Sequence, residues 1–447
     1  MEKVPDINIK HEPSRLNNIF RSLRYRNYRL FFVGQSISLI GTWMQRIAMP
    51  WLVYSISGSV FLLGLVGFAG QIPTFLIAPF AGVLIDRWNR YTVLIITQIL
   101  AMIQAFILAF LVLTKSVEVW QIILLSTCLG CINAFDMPAR QSFVIDMIEK
   151  REDLGNAIAL NSSMVNVARL LGPSIAGILI AITGEGICFL INGISYIFVI
   201  VFLLMMVIKP AKTVIRNTNV LHDLKEGFSY TFGFRPIRYI IILLALVSLM
   251  GMPYTVLMPV FAKHILHGGS HTFGFLMGST GVGALAGAIY MASRKSVLGL
   301  GKIIPFSAAV FGAGLLAFSF SHFFLLSMVI LLFTGFGMIM QMTSSNTILQ
   351  TIVDDDKRGR VMSFYTMAFM GTAPFGSLLA GTLASSIGAP NTLIIGGTSC
   401  IIGAMLYARK LPQIKAIIRP VYIRMGILPE LTSGIQAATE LTRPPQE

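Results

Sequence analysis

The chain alternates about twelve apolar stretches of roughly 20 residues with short polar, glycine-rich or proline-rich breaks. A helix of about 20 apolar residues is long enough to cross the hydrocarbon core of a bilayer, which is about 30 Å thick. We therefore predict an all-α multi-pass membrane protein with twelve transmembrane helices. They are expected near residues 28–54, 61–84, 92–113, 119–138, 157–182, 187–208, 239–261, 273–292, 303–320, 323–345, 361–387 and 391–408.

The composition excludes several other classes of protein. Of the 447 residues, 55% are hydrophobic and 12% are charged, whereas about a quarter of the residues in soluble domains are charged. This excludes a soluble enzyme. The four cysteines lie in apolar stretches, so we expect no disulfide framework. The first 27 residues contain no apolar stretch, so we expect no cleaved signal peptide.

The positions of the basic residues predict the orientation of the chain. There are 34 lysines and arginines against 19 acidic residues, a net charge of +15. Apart from Lys115, Lys263, Arg46 and Arg169, the basic residues lie in or beside the two tails and the connections after the even-numbered spans. Such residues concentrate on the cytoplasmic side of membrane proteins. We therefore predict a bacterial inner-membrane protein with both termini in the cytoplasm, and no nucleic-acid partner.

The longest connection between spans divides the chain into two sets of six spans. We predict a cytoplasmic N-terminal tail (1–27), a first six-helix half (28–208), a cytoplasmic linker (209–238), a second six-helix half (239–408) and a cytoplasmic C-terminal tail (409–447). The stretch 222–234 of the linker has the pattern of an interfacial amphipathic helix. The C-terminal tail mixes arginines with prolines, and we expect it to be poorly ordered.

An internal repeat relates the two halves. A shift of 203 residues aligns Met49–Val53 of the first span with Met252–Val256 of the seventh. A shift of 204 residues aligns Gly155 with Gly359, and Gly184 with Gly388, around the fifth and eleventh spans. Parallel repeats of this kind are typical of secondary transporters, which alternate access to a midplane site by rocking one half against the other.

Two motifs resemble those of the major facilitator superfamily. The segment between the second and third spans contains Gly82, Asp86-Arg87 and Arg90, which matches the superfamily's gating signature. In the fifth span, Arg169, Gly172-Pro173 and Gly177 partly match the Gly-Pro motif of its antiporters, without the full glycine spacing. Gly34–Tyr54 and Asp136–Gln141 resemble the branch with the enterobactin exporter and macrolide efflux pumps.

This resemblance covers all twelve spans and implies a fold and an activity. In the family, twelve helices surround a cavity lined mainly by helices one, four, seven and ten, and the activity is export driven by proton entry. The resemblance also implies that Asp86 caps the eleventh helix, which is expected to begin near Arg360, and so latches the cytoplasmic side. A carboxylate at a helix N-terminus is favourable on general grounds; the alternative is an ordinary charged turn. Pro173 marks either a functional bend or a packing kink.

Ionisable residues inside spans are costly and are therefore candidate functional residues. Asp136 and Arg140 lie one helical turn apart in the fourth span, the spacing of an i,i+4 ion pair. The pair is a candidate for proton coupling or a structural anchor. Because an arginine lowers the pKa of a carboxyl group that burial raises, Asp136 would titrate usefully only if Arg140 separated from it.

Arg46 and Arg169 give the spans an excess of positive charge. This excess favours an anionic substrate, such as a catecholate or carboxylate, held by bidentate hydrogen bonds. The alternative is that both arginines pair with helix carbonyls or with Gln and Asn side chains. Candidate substrate contacts on the cavity helices are Gln35, Thr42, Gln45, Arg46, Asn133, Tyr254, Gln341, Ser345 and Asn346.

No motif for an enzyme, a cofactor or a metal is present in the sequence. We predict a monomeric secondary transporter whose partners are a small molecule, protons and the lipid bilayer. It would export a small amphiphilic, siderophore- or drug-like molecule by proton antiport with alternating access. The alternatives are a gradient-independent facilitator, an uptake permease, or a membrane receptor that transports nothing.

Overall fold

The structure is a computed structural model that describes residues 20–207, 220–294, 296–354 and 357–427. At some helical positions, among them Gly82, Asp86 and Arg87, it describes the backbone only. The α-helices are α1 (Arg26–Ser57), α2 (Val60–Arg87), α3 (Arg90–Leu113), α4 (Val119–Asp146), α5 (Arg151–Thr183), α6 (Glu185–Leu204), α7 (Val220–Gly233), α8 (Arg235–Leu246), α9 (Tyr254–Val260), α10 (Ser270–Ser293), α11 (Leu300–Ser319), α12 (Phe324–Ile352), α13 (Arg358–Thr366), α14 (Ala373–Ile387) and α15 (Ala389–Arg424).

The described residues form helices and no strands, which confirms the all-α membrane fold. Eleven helical stretches among them are long and apolar enough to cross a membrane. The helix α1 has 32 residues, long enough to be a further crossing at about 1.5 Å per residue, and its arginines and amides lower its hydropathy. Twelve crossings in two halves are consistent with this arrangement. The end of the bundle at which α1 begins carries most of the basic residues and is called the basic end below.

The seventh and eleventh crossings contain π-helical segments that the sequence pattern did not predict. Val247–Gly251 and Phe261–Ile265 interrupt the seventh crossing, and Met367–Gly371 interrupts the eleventh. The hydroxyl of Ser248 donates a hydrogen bond to the main-chain oxygen of Phe369, so two of these segments are joined directly. Single π-turns inside α-helices often mark functional sites, because they leave backbone groups free for other partners.

The last helix continues far beyond its predicted end. The expectation of a poorly ordered tail is wrong as far as Arg424, because α15 includes these residues. Ile414 and Ile418 are buried on one face of this extension, while Lys415 and Arg419 are exposed. Apolar residues three or four positions apart lie on one face of a helix, and their burial against the bundle stabilises it.

The two halves touch through glycines. A Cβ atom on Gly64 of α2 would lie 2.7 Å from the Cα atom of Gly381 of α14. A Cβ atom on Gly177 of α5 would lie 2.8 Å from the Cα atom of Gly274 of α10. At both places only a residue without a side chain allows the backbones to come this close.

Aromatic contacts lie beside the glycine contacts. The rings of Trp51 and Phe273 are stacked with their centroids 6.1 Å apart, and the rings of Tyr54 and His264 meet edge to face at 5.7 Å. These residues lie near the end of the bundle opposite the basic end. The glycine pairs and these two ring pairs together are called the seam, and at this end the seam joins the halves.

Candidate functional site

Asp136 lies in a buried polar site within the first half. Its side chain is on α4, and only 5% of the residue's surface is exposed. Thr97 and Gln98 of α3 donate hydrogen bonds to Oδ1 at 3.2 Å and 2.7 Å. Arg140 lies one turn further along α4, with Nη2 3.3 Å from Oδ2, so the i,i+4 ion pair is present in the structure. Two hydrogen-bond donors and a guanidinium all stabilise the charged carboxylate.

Arg140 also connects this site to the first helix. Its Nη1 donates a hydrogen bond to Oε1 of Gln35 on α1 at 3.2 Å. Nε2 of Gln35 is buried and has no hydrogen-bond partner. Gln35 was predicted to line the cavity because of the helix on which it lies. In the structure it lies in a buried contact with Arg140, and a movement of that arginine would break their hydrogen bond.

Gln45, a further residue assigned to the cavity, lies in a second buried network. Its Nε2 donates to Oε1 of Gln104 on α3 at 3.2 Å, and its Oε1 accepts from Nδ2 of Asn192 on α6 at 2.6 Å. Gln104 in turn donates to the main-chain oxygen of Leu125 on α4 at 3.4 Å. The network joins four helices of the first half and leaves Gln45 satisfied without Arg46.

Arg46 lies on the face of α1 that is opposite the lipid-facing residues. It is exposed, whereas Gln45 and Ile47 on either side of it are buried. Val33 and Ile37 are exposed on one face, and at about 100° per residue Arg46 points roughly away from that face. The exposed surface of Arg46 therefore faces the interior of the bundle.

A tryptophan brings Arg46 and Arg169 together. The Cζ atom of Arg46 lies 4.7 Å from the centroid of the Trp43 ring, and that of Arg169 lies 5.3 Å from it. Nε of Arg169 is buried and has no hydrogen-bond partner. Among the described residues, no carboxylate lies within 4 Å of either guanidinium. We call Trp43, Arg46 and Arg169 the guanidinium pair site.

The Gly-Pro motif positions this tryptophan. A Cβ atom on Gly172 would lie 2.4 Å from Cβ of Trp43, so the glycine makes the room in which Trp43 packs against α5. Gly177, one and a half turns later, belongs to the seam. Pro173 lies within α5, which continues through it without a break.

The other predicted cavity residues differ in their surroundings. The hydroxyl of Thr42 lies 3.4 Å from that of Tyr196, and Thr42 and Asn133 are half-buried. In the second half Tyr254 is buried, and Gln341 donates to Ser345 at 3.5 Å. Asn346 is half-buried and accepts a hydrogen bond from Gln350.

The gating motif lies mostly outside the described side chains. Gly82, Asp86 and Arg87 form the end of α2, but their side chains are not among those described. Arg90 begins α3, and its Nη1 lies 3.1 Å from Oδ1 of Asp146 at the end of α4. The gating role stays a prediction.

The sequence pattern did not single out several residues of these sites. Trp43, Thr97, Gln98, Gln104 and Asn192 were not candidates. A signal was available for Gln98, Gln104 and Asn192. Each is an amide in an otherwise apolar span, where a polar group that faces lipid would be costly. For metals, no three His, Cys, Asp or Glu side chains in the described part of the chain are placed to share an ion.

A clamp outside the bundle interior holds the beginning of the chain. Nε of Arg21 lies 3.1 Å from Oδ1 of Asp153 at the start of α5, and Arg24 and Tyr25 bond to its Oδ2. Arg24 donates hydrogen bonds to the hydroxyl of Tyr25 and to the carboxylate of Asp153, and both raise the pKa of Arg24 above its ordinary value. The clamp ties the segment before α1 to α5.

Comparison with known families agrees with this architecture. A family model described as transmembrane secretion effector matches residues 18–422. The chain belongs to this family of the major facilitator superfamily. The resemblance noted from the motifs is thereby confirmed, and the chain is a multi-pass transporter of the superfamily.

Individual relatives have similar lengths. The staphyloferrin A transporter of Staphylococcus aureus is 27% identical over 380 residues, covering 85% of this chain and 95% of the relative. Macrolide efflux protein A of Streptococcus pyogenes is 20% identical over 395 residues, with the same coverage. Among solved structures, a bacterial homologue of the iron transporter ferroportin, in an inward-facing state, has a TM-score of 0.68 at 15% identity. That match covers 86% of this chain and 98% of the other, and it supports the fold alone.

Proposed function

We propose that this transporter exports a small amphiphilic molecule, siderophore-like or drug-like, by proton antiport with alternating access. Two relatives, a staphyloferrin A transporter and a macrolide efflux protein, support this class of substrate. The distribution of basic residues supports an inner-membrane protein with both termini in the cytoplasm. The guanidinium pair site supports a substrate that carries negative charge.

The observation that carries the proton-coupling part is the position of Asp136. It lies within α4, a crossing of 28 residues, and among the described side chains it is the carboxylate furthest from the ends of its helix. A buried carboxylate in a membrane is a default candidate for proton transfer. Gly82, Asp86, Arg87 and Arg90 keep their proposed role as a gate at the basic end.

The surroundings of Asp136 make its protonation depend on conformation. With Arg140, Thr97 and Gln98 in place, the charged carboxylate is stabilised. If Arg140 moves away, the buried carboxylate loses its ion-pair partner and keeps only the hydrogen bonds from Thr97 and Gln98, which shifts the balance toward the neutral acid. A movement of Arg140 relative to Asp136 would therefore exchange a proton, which links proton binding to the change of state that antiport requires.

The seam supports alternating access. The two halves meet through close backbone contacts at Gly64–Gly381 and Gly177–Gly274, with the Trp51–Phe273 and Tyr54–His264 ring pairs beside them. The buried networks around Gln45 and Asp136 lie within the first half and hold it together. A half that is held together by its own buried networks and joined to its neighbour at this seam is suited to rocking as a rigid body.

One observation favours the gradient-independent facilitator as a second candidate. Asp136 has partners for both oxygens, the arrangement expected of a carboxylate that only neutralises Arg140. In that case Asp136 would never take up a proton during transport, and flux would follow the substrate gradient.

Uptake into inside-out vesicles tests the proposal. A carboxylate siderophore and a macrolide are supplied with and without a pH gradient that is acidic inside. We expect gradient-driven accumulation by the wild-type protein and at least an approximately tenfold loss in Asp136→Asn, because the amide cannot carry the proton. Glu152→Gln, which neutralises an exposed carboxylate at the start of α5, is the matched control and should retain accumulation.

Other results would contradict the proposal. Flux that ignores the gradient in the wild-type protein would favour the facilitator. Binding of a substrate without any flux would favour a receptor. Full gradient-driven accumulation in Asp136→Asn would remove Asp136 as the proton carrier.

A further inference from the structure

The guanidinium pair site places two positive charges close together inside the membrane. Arg46 and Arg169 come from α1 and α5, and both guanidinium groups lie within 6 Å of the Trp43 ring centroid. Each charge disfavours the other, because both guanidinium groups lie against the same indole ring. Two like charges in a crossing are costly unless an anion balances them.

The partners that would make this pair purely structural are absent from the described residues. Neither arginine has a carboxylate within ion-pair distance. Gln45, the amide next to Arg46, is already bonded to Gln104 and Asn192. Nε of Arg169 is buried without an acceptor. The indole ring offers only its face, and the attraction of a cation to a ring is weaker than an ion pair at close range.

The site is held in place and remains accessible. Gly172 allows Trp43 to pack against α5, and this fixes the ring between the two helices. Arg46 is exposed toward the interior of the bundle. A Cβ atom on Gly281 of α10, in the second half, would lie 3.2 Å from the main-chain oxygen of Arg169, so the site adjoins both halves. Bound cargo here would contact the surfaces that move relative to each other.

We propose that the guanidinium pair site binds a molecule with two carboxylate groups, one on each guanidinium. This rests on the proposed function in one respect, that the ligand is the cargo. A guanidinium presents two parallel N–H groups that match the two oxygens of a carboxylate. Two carboxylates would supply the missing acceptor for Arg169 and balance both charges, whereas a single carboxylate would leave one arginine unpaired.

Equilibrium binding to the full chain in nanodiscs of zwitterionic lipid tests the site. The three probes are 2,6-naphthalenedicarboxylate, 2-naphthoate and the dimethyl ester of the diacid, which share one aromatic ring system and differ in charge. We expect affinity to fall about tenfold from diacid to monoacid, and again from monoacid to diester, because each step removes a charged hydrogen-bonded pair.

Variants assign the effect to the two arginines. Arg46→Gln and Arg169→Gln should each bring the diacid to the affinity of the monoacid and leave the diester unchanged. Arg238→Gln is the matched control, because Arg238 also lies over a ring, 5.5 Å from the centroid of Tyr239, at the start of α8 and outside the site. It should bind all three probes as the wild-type protein does.

The proposal is overturned if the diacid binds no more tightly than the diester, or if the preference for the diacid survives in the variant that combines Arg46→Gln with Arg169→Gln. If a glutamine variant fails to fold, Arg46→Lys keeps the charge but loses the paired N–H groups, and it should lower the preference for the diacid without abolishing it. Because binding is measured without a gradient, its failure leaves proton antiport standing. A failure of gradient-driven flux with intact diacid binding rejects antiport alone.

Discussion

At the scale of single residues, the neighbours of a charge decide what it can do. Asp136 and Arg46 are both ionisable groups in crossings, and the sequence marks both as candidates for the same reason. Asp136 has Thr97, Gln98 and Arg140 around its two oxygens, which suits a group that is charged in one state. Arg46 and a second arginine both lie against the Trp43 ring, an arrangement that suits the binding of an anion.

Gly172 offers a test of this placement. In Gly172→Ala the new Cβ atom would collide with Cβ of Trp43, which lies 2.4 Å from its position. We expect a loss of about 1–3 kcal/mol in unfolding free energy from overpacking, together with weaker binding of the diacid probe. Thermal unfolding in detergent and probe binding measure the two effects.

Gly155→Ala provides the comparison for this substitution. It changes the same helix at a position where a Cβ atom would have no neighbour within 4 Å. Diacid binding should be unchanged, and stability should be equal to or slightly above that of the wild-type protein, because alanine is the better helix former. Equal behaviour of the two variants would show that Gly172 does not position Trp43.

At the scale of helices, the contacts within the first half differ in kind from the contacts between the two halves. Within the first half, amide hydrogen bonds join α1 to α3 and α6. Between the halves, α5 meets α10 through glycine backbones. The π-helical segments of the seventh and eleventh crossings, joined through Ser248 and Phe369, lie in the second half. The two halves are therefore related in sequence but differ in local helix geometry.

A larger residue in the seam should push the halves apart at the end opposite the basic end. In Gly177→Val the added atoms would meet the backbone of Gly274, whose Cα lies 2.8 Å from the new Cβ position. We expect longer distances between spin labels at Ser55→Cys and Ser386→Cys, measured by double electron–electron resonance, because backbone cannot be displaced as a side chain can.

Gly70→Ala is the control for the seam, since its nearest neighbour, Ser126 of the same half, would lie at an ordinary 3.7 Å. The labels require a background without the accessible Cys128 and Cys131. If both glycine variants gave the wild-type distance distribution, the seam would not control the opening of the halves.

At the scale of the whole molecule, charge movement links the two proposals. An inside-negative potential favours the inward movement of a proton and the outward movement of an anion. Each elementary charge that crosses contributes about 2.3 kcal/mol per 100 mV. Antiport of a proton against a dicarboxylate would therefore use the potential more effectively than antiport against a neutral molecule.

Proteoliposomes with a potassium diffusion potential and no pH gradient measure this difference. We expect the accumulation of 2,6-naphthalenedicarboxylate to depend more steeply on the potential than that of its dimethyl ester, by two charges per molecule. The ester is the control for proton movement, because it carries no charge itself. An equal dependence for both probes would mean that the dicarboxylate crosses without its charge.

The crossings, the all-α class and the family could be predicted from the sequence alone, because each depends on a local property. The length of an apolar stretch must match the bilayer, and the motifs lie within short segments. The prediction of an i,i+4 pair between Asp136 and Arg140 rested on one helix and needed no neighbour. The continuation of α15 to Arg424 was missed because it depends on burial of Ile414 and Ile418 against other helices.

Which polar residues contact each other could not be predicted from the sequence and follows from the packing of the helices. Gln45 and Arg46 are adjacent in the chain, yet one is satisfied by Gln104 and Asn192 and the other lies beside Arg169 across Trp43. Hydrophobicity determines that a helix crosses the membrane, but its rotation and its neighbours follow from the packing of all the helices together. The partners of a side chain within the bundle are therefore a property of the whole fold.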